Sequence, residues 1–102
     1  MAPAHVRLTQ TTLRILETFM AGRPLSGAQI GRATGIASGS CYPILSRLER
    51  AGWLSGAWED IDPRQAGRPR SRFYRLTELG ERQLQAAAQK RRLLVRIHPA
   101  VG

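Results

Sequence analysis

The sequence has a single cysteine, two histidines and only seven acidic residues, and each shortage excludes something. One thiol, Cys41, cannot close an internal disulfide and supplies no zinc cluster, which fits a reducing compartment and a cytoplasmic location. His5 and His98 stand near opposite ends, so their spacing yields neither a metal pair nor a catalytic dyad. No apolar run approaches the roughly 18 residues of a membrane span, and no signal-peptide pattern is present, so a soluble chain with no membrane partner is expected. A phosphate-binding glycine loop is missing, as are internal repeats and low-complexity tracts. With no acid, base and nucleophile converging, neither an enzyme nor a cofactor is expected. Cys41 itself falls on an apolar stripe and reads as a small core residue rather than a reactive thiol.

What the sequence does have is positive charge. Sixteen basic residues give a net charge of +9 over 102 residues, and all but Lys90 are arginine. For one small domain this makes nucleic acid the first partner to consider. The planar guanidinium suits phosphate and guanine because it donates two parallel hydrogen bonds. A coding bias toward arginine gives the same count, so position carries more than number. Five arginines fall between Arg64 and Arg75.

The stretch from Ser38 to Ala51 organises the rest. Cys41, Ile44, Leu45 and Leu48 recur at i, i+3, i+4 and i+7, one apolar stripe of a helix. Ser40, Tyr42, Pro43, Ser46, Arg47 and Arg50 are left for the other faces. The expected start is near Ser40 as a serine cap, with Pro43 in the first turn and Gly52 ending the helix.

Before it, residues 1–8 read as a mobile arm in which Arg7 is a candidate phosphate contact. A first helix runs from Thr9 or Thr11 to Met20, with Leu13, Leu16, Phe19 and Met20 on its apolar face and Ile15 on the flank, until Gly22-Arg23-Pro24 stops it. A second short helix spans Gly27 to Ala33, with Ser26 as cap and Ile30 as its core residue, and Thr34-Gly35 makes a tight turn into the third.

After Gly52 the period changes to two. Leu54, Gly56 and Trp58 alternate with polar and small residues, as do Tyr74 and Leu76 around Arg75, so two short strands bracket Asp60 to Arg72. That segment holds two prolines and is expected as a hairpin loop. Thr77 then caps a last helix, with Glu78 and Glu81 in its first turn and Leu79, Leu84, Ala87, Leu94 and Ile97 along an incomplete stripe that ends at His98-Pro99.

The expected fold is mainly α with a small β-hairpin, a winged helix–turn–helix (9–76) followed by a C-terminal helix (77–97) and a tail (98–102). Leu13-Arg14-Ile15-Leu16, Leu25-Ser26-Gly27 with Ile30, Gly39-Ser40-Cys41-Tyr42-Pro43 with Leu45, Arg47-Leu48-Glu49, Gly52-Trp53-Leu54, Gly67-Arg68-Pro69-Arg70 and Tyr74-Arg75-Leu76-Thr77-Glu78-Leu79-Gly80 together resemble the PadR family of transcriptional regulators. The resemblance implies a dimeric bacterial repressor with its third helix in the major groove, its wing on flanking backbone or minor groove, and its C-terminal helix in the dimer. By position, Tyr42 matches the tyrosine kept at the start of the recognition helix, and Arg68 and Arg70 match the basic wing. The chain departs from the family in having Ala28 where an aromatic residue or histidine usually follows the glycine of helix 2, and in its short C-terminal helix, the mark of a small member.

Independently of the family, Ser38, Ser40 and Tyr42 at a helix N-terminus offer hydroxyls and amides to phosphates, Arg47 one turn on can reach a guanine edge, and Ser46 can assist. Tyr42 has the alternative of packing its ring on the wing, Arg47 that of a solvated charge beside Glu49, and Arg50 that of favouring the helix dipole. Arg64, Arg68, Arg70 and Arg72 complete the expected DNA contacts. Gly67-Arg68-Pro69-Arg70 also resembles an AT-hook core, in which an extended segment lays its arginines in a narrow minor groove; simple phosphate contact is the alternative. Glu59, Asp60 and Asp62 read as a charge brake or a hairpin feature. Trp53 and Trp58 read as core and sheet-surface residues, with stacking of a small-molecule effector in a dimer cleft as the alternative. The expected function is a sequence-specific regulator of transcription that binds double-stranded DNA as a homodimer through Leu84, Ala87 and Leu94. A winged-helix protein-interaction module and a non-specific nucleic-acid-binding protein are the rival readings.

Overall fold

The computed structural model describes residues 6–97, with side chains described for residues 6–94. The expectations placed on His5, on the stop at His98-Pro99, on the tail, on the arm before residue 6 and on the Ile97 side chain lie outside the described residues.

Thr9 caps the first helix, α1 (Gln10–Glu17), its hydroxyl accepting from the Thr12 amide at 3.1 Å. Thr18 then donates to the Ile15 carbonyl at 2.6 Å and the chain tightens into a 3-10 turn, Thr18–Ala21, closed by Gly22 at φ 77°. Burial along this segment differs from the expected stripe at two positions. Ile15, expected on the flank, is fully buried with Leu16 and Phe19, whereas Met20, expected in the stripe, is 68% exposed. A 3-10 turn advances each residue further around the axis than an α-helix does, and it carries Met20 past the core.

A two-residue strand, β1 (Leu25–Ser26), precedes α2 (Gly27–Thr34). Ser26 caps α2 as expected, and Gln29 returns the bond to complete a capping box. Gly35 at φ 74° ends the helix, and the Thr34 hydroxyl bridges the turn, donating to Ile30 O at 2.8 Å and accepting from Ile36 N at 3.2 Å. The Arg14 guanidinium donates to the Thr34 carbonyl and ties α1 to the same corner.

The third helix, α3 (Ser38–Arg50), begins a half-turn earlier than its serines suggest. Ala37 occupies the N-cap position with no side-chain cap, and its carbonyl accepts from both Ser40 N and Cys41 N. Pro43 is therefore inside the helix rather than in its first turn. Proline has no N–H to give to Gly39 O, and the helix tolerates this because Gly39 is exposed and water can reach the carbonyl. Cys41, Leu45 and Leu48 are buried, with Ile44 partly so, against Ile15, Leu16, Phe19, Ile30, Leu54, Tyr74 and Leu84.

Strands β2 (Leu54–Trp58) and β3 (Arg72–Leu76) form the expected hairpin, paired from Leu54↔Leu76 to Trp58↔Arg72. β1 adds to the other edge of β3, so the sheet has three antiparallel strands in the order β1-β3-β2. Two residues are too few to show alternation, and β1 left no periodic mark in the sequence. The loop between β2 and β3 carries a single helical turn, α4 (Pro63–Ala66), capped by Asp62 and closed by Gly67 at φ 69°. Thr77 accepts from Gly80 N at 3.0 Å and donates to Gly52 O at 2.6 Å, so the start of α5 (Glu78–Ile97) is fastened to the end of α3. Gly80 lies so near the Trp53 backbone that a Cβ there would stand 2.2 Å from its carbonyl oxygen. No helix among the described residues is long and apolar enough to cross a membrane.

Candidate nucleic-acid interface

With about 100° of rotation per residue and the buried stripe of α3 known, its outer face can be resolved residue by residue. Gly39, Pro43, Ser46 and Arg50 point most directly away from the core. Ser38, Tyr42 and Glu49 lie on one flank, and Ser40 and Arg47 on the other. All of these except the half-buried Glu49 are exposed. The structure thus presents Ser38, Ser40, Tyr42, Pro43, Ser46, Arg47 and Arg50 on one continuous surface, and the uncapped first turn leaves amides open beside the two serines.

Tyr42 is 48% exposed, and its ring lies across the backbone of Gly27 at the start of α2. A Cβ at Gly27 would come within 2.5 Å of Tyr42 Cε1 and 2.7 Å of its hydroxyl oxygen. Glycine is the residue that lets α2 approach α3 here. The ring packs on α2, and Tyr42 as a whole remains about half exposed. Arg47 is not paired with Glu49, because Glu49 is committed elsewhere.

That commitment is the main link between helix and wing. Arg72 Nη2 donates to Glu49 Oε2 at 2.5 Å, while the same guanidinium lies over the Trp58 ring at 5.2 Å and the Tyr74 ring at 6.0 Å. Arg72, expected as a DNA contact, is thereby held by the chain, and Glu49 raises its pKa further. Gly56 makes room for the bridge: a Cβ there would meet the Arg72 and Glu49 side-chain ends at 2.9 Å.

The wing tip is organised by Glu59. Its two carboxylate oxygens accept from Arg68 Nη1 at 2.7 Å and Nη2 at 2.8 Å, and Oε1 also accepts from Ser71 N at 3.2 Å. The Arg68 hydrogen bonds hold the Glu59 carboxyl at about 2, well below the ordinary range. Arg70 Nε donates to Ile61 O at 2.9 Å. The Arg68 and Arg70 side chains are therefore engaged with the chain itself. Gly67 closes α4, and Arg68 and Arg70 fold back on the hairpin because a carboxylate and a carbonyl lie within reach. Arg64 is exposed, and only its amide is engaged, with Asp62 Oδ1.

Of the residues expected at a dimer contact, Leu84 is 6% exposed and belongs to this chain's own core, Ala87 is half-buried, and Leu94 is 51% exposed. A concave apolar groove lies between α1 and α5, lined by Leu13, Met20, Leu84, Ala87 and Leu93. Cys41 is buried, and burial pushes its thiol pKa up, in keeping with a core role. Sequence reasoning did not find the parts played by Gly27, Gly56 and Glu49, whereas Glu59 is the hairpin feature that one of its readings had. An acid twenty-three residues from its arginine leaves no local signal, although Gly56 between two strand residues was an available hint of a close approach.

Comparison with known proteins places this geometry. The sequence model described as the transcriptional regulator PadR-like family matches residues 27–86, from the start of α2 into α5. A PadR-like transcription factor from Bacteroides fragilis superposes with a TM-score of 0.78 at 21% identity, over 90% of this chain and 89% of that one. The adhesin competence repressor AdcR from Streptococcus pyogenes gives 0.66 at 19% identity, over 92% of this chain and 64% of that one. PadR of Bacillus subtilis, solved in complex with operator DNA, gives 0.67 at 18% identity, over 78% of this chain and 48% of that one. This chain spans 64% and 48% of the length of these last two, and at such identities the likeness establishes the fold alone. No curated protein sequence matches significantly.

Proposed function

The chain belongs to the PadR-like family of transcriptional regulators, and on that premise we propose that it is a sequence-specific regulator of transcription, a repressor, that binds double-stranded DNA as a homodimer. The carrying observation is the outer face of α3: exposed, hydroxyl-bearing from Ser38 to Ser46 and basic in its last turn at Arg47 and Arg50, with no side-chain cap at its N-terminus, and tied to a basic wing through Glu49 and Arg72. In this reading α3 enters the major groove. Ser38, Ser40 and Tyr42 take phosphates, and Arg47 with Ser46 reads base edges. Arg50, Arg64, and the half-exposed Arg68 with Arg70 add backbone contacts on either side. The operator complex of the Bacillus subtilis neighbour supports duplex DNA as the ligand. The exposed Leu93 and Leu94 on α5, continuous with Met20 and the apolar groove, are the surface a second copy would cover.

The test is competition of a labelled fragment from upstream of the protein's own coding region against excess random duplex. Retention of the fragment is expected, and Arg47→Ala should reduce the preference by about 1–3 kcal/mol. Equal loss of the wild-type protein to random duplex would remove sequence specificity from the proposal, and a species of single-chain mass at micromolar concentration would remove the dimer.

A further inference from the structure

Trp58 is 62% exposed at the last paired position of β2, beyond the reach of the core, and the DNA-binding surface assembled above does not use it. Its surroundings are unusual for a stray surface aromatic. One guanidinium, that of Arg72, lies over the ring and is itself anchored to α3 through Glu49, so the indole is held on the recognition-helix side of the hairpin. Around it Pro63, Pro69, Arg64, Arg68 and Arg70 line a shallow cup. The cup combines flat apolar rings with a cationic rim. Glu59, the acid nearest in sequence, already has both carboxylate oxygens occupied by Arg68, and Asp62 is turned to the Arg64 amide.

We infer that Trp58 is a DNA-contacting residue of the wing: its indole packs against the sugar–phosphate edge of the duplex flanking the groove filled by α3, with the rim arginines on the adjoining phosphates. This rests on the duplex-binding reading given above. The chemistry favours a nucleic-acid backbone, because deoxyribose offers an apolar C–H surface to the indole and proline rings, while the phosphates on each side of it match the arginines. The arrangement gives Arg72 a positioning role. It lies over one face of the ring, with its charge balanced by Glu49, so the indole meets DNA already oriented and its side-chain entropy is spent in folding rather than in binding.

The experiment uses two full-length single-tryptophan variants. Trp53→Phe leaves Trp58 as the only emitter and Trp58→Phe leaves Trp53, and each is titrated with duplex carrying the upstream fragment, with binding followed separately by the anisotropy of labelled DNA. Saturation should quench Trp58 emission and lower its acrylamide accessibility at least two-fold, leaving Trp53 unchanged. Trp58→Ala should weaken binding about 5- to 10-fold, the lower end of what loss of an aromatic contact to nucleic acid removes, with an unchanged far-ultraviolet circular dichroism spectrum. Normal binding by anisotropy with Trp58 emission and accessibility unaltered would overturn the assignment while sparing the DNA-binding reading. Absence of any anisotropy change with wild-type protein would overturn both.

Discussion

Helix α3 and the wing both carry arginine, and they hold it differently. On α3, Arg47 and Arg50 stand on a helix fixed from behind by Cys41, Leu45 and Leu48, and among the described residues neither makes an ion pair. On the wing, Arg68, Arg70 and Arg72 are each bonded to the chain itself, to Glu59, to Ile61 O and to Glu49. A helix with a buried stripe gets its shape from packing and can leave its cations for a ligand. A thirteen-residue segment between two short strands, 59–71, has no core of its own, and it uses Arg68 and Arg70 as internal fastenings while the Arg64 side chain stays exposed. The same residue type thus stands without an intrachain ion pair in one region and is largely spent on shape in the other. Charge counting alone cannot separate the two.

The comparison is sharpened most by substitutions that attack each region through its own kind of support. Leu45→Ala removes a fully buried side chain from α3 and should cost about 2–5 kcal/mol of global stability, read as a fall in the urea midpoint at constant slope. Arg68→Ala, which breaks the wing's bidentate pair, should leave that midpoint nearly unmoved, because the pair is solvent-facing and touches no core residue. A large midpoint shift for Arg68→Ala would mean that the wing contributes to the cooperative unit, and the division drawn here would fail.

How far the sequence could be read follows the same line. Helical periodicity exposed the stripe of α3, Ser26 and Thr77 announced their caps, and the change to a period of two marked β2 and β3, since burial leaves a repeating imprint. The start of α3 was misplaced because the Ala37 carbonyl, not a serine side chain, organises the first turn. Met20 leaves the expected stripe because a 3-10 turn follows α1, where the Thr18 hydroxyl donates to the Ile15 carbonyl, a bond with no periodic mark. The outer face of α3 was legible in its composition. Which arginines of the wing are engaged was not, because Glu49 and Arg72 meet only after three elements have packed, and the fold-back of Arg68 depends on the hairpin register that sets Glu59 beside Ser71.

Gly27 offers a test of intermediate size. It lies at the helix–helix contact beneath Tyr42, where packing and recognition share one side chain. Gly27→Ala would set a methyl 2.5 Å from the ring, so the ring must swing toward solvent. Overpacking of this kind costs about 1–3 kcal/mol, and the lower end is expected because the far side of the ring is open. Gly27 has no side chain to offer DNA, so any accompanying loss of duplex affinity reports the displaced tyrosine. Affinity unchanged despite a confirmed ring shift would remove Tyr42 from the contact surface.

The smallest effect is local and is addressed with pH. The Glu59 carboxyl, held at about 2 against an ordinary 4.5 by Arg68 and the Ser71 amide, favours the folded wing only while ionised. Its folded-state pKa lies below the unfolded one, so its contribution is complete above about 4.5 and is lost as pH falls toward about 2. The Ser71 amide, which donates to this carboxylate, should therefore show a proton chemical shift that titrates with a midpoint near 2. Amides in the middle of α3, such as that of Leu45, should follow only global unfolding. In Arg68→Ala the Ser71 midpoint should rise toward the ordinary carboxylate value, since the largest cause of the depression is gone. A midpoint near 4.5 in the wild-type protein would show that the arginine is not held in solution. Arg68 would then be as available to DNA as Arg47, and the contrast between helix and wing would reduce to one of backbone rigidity.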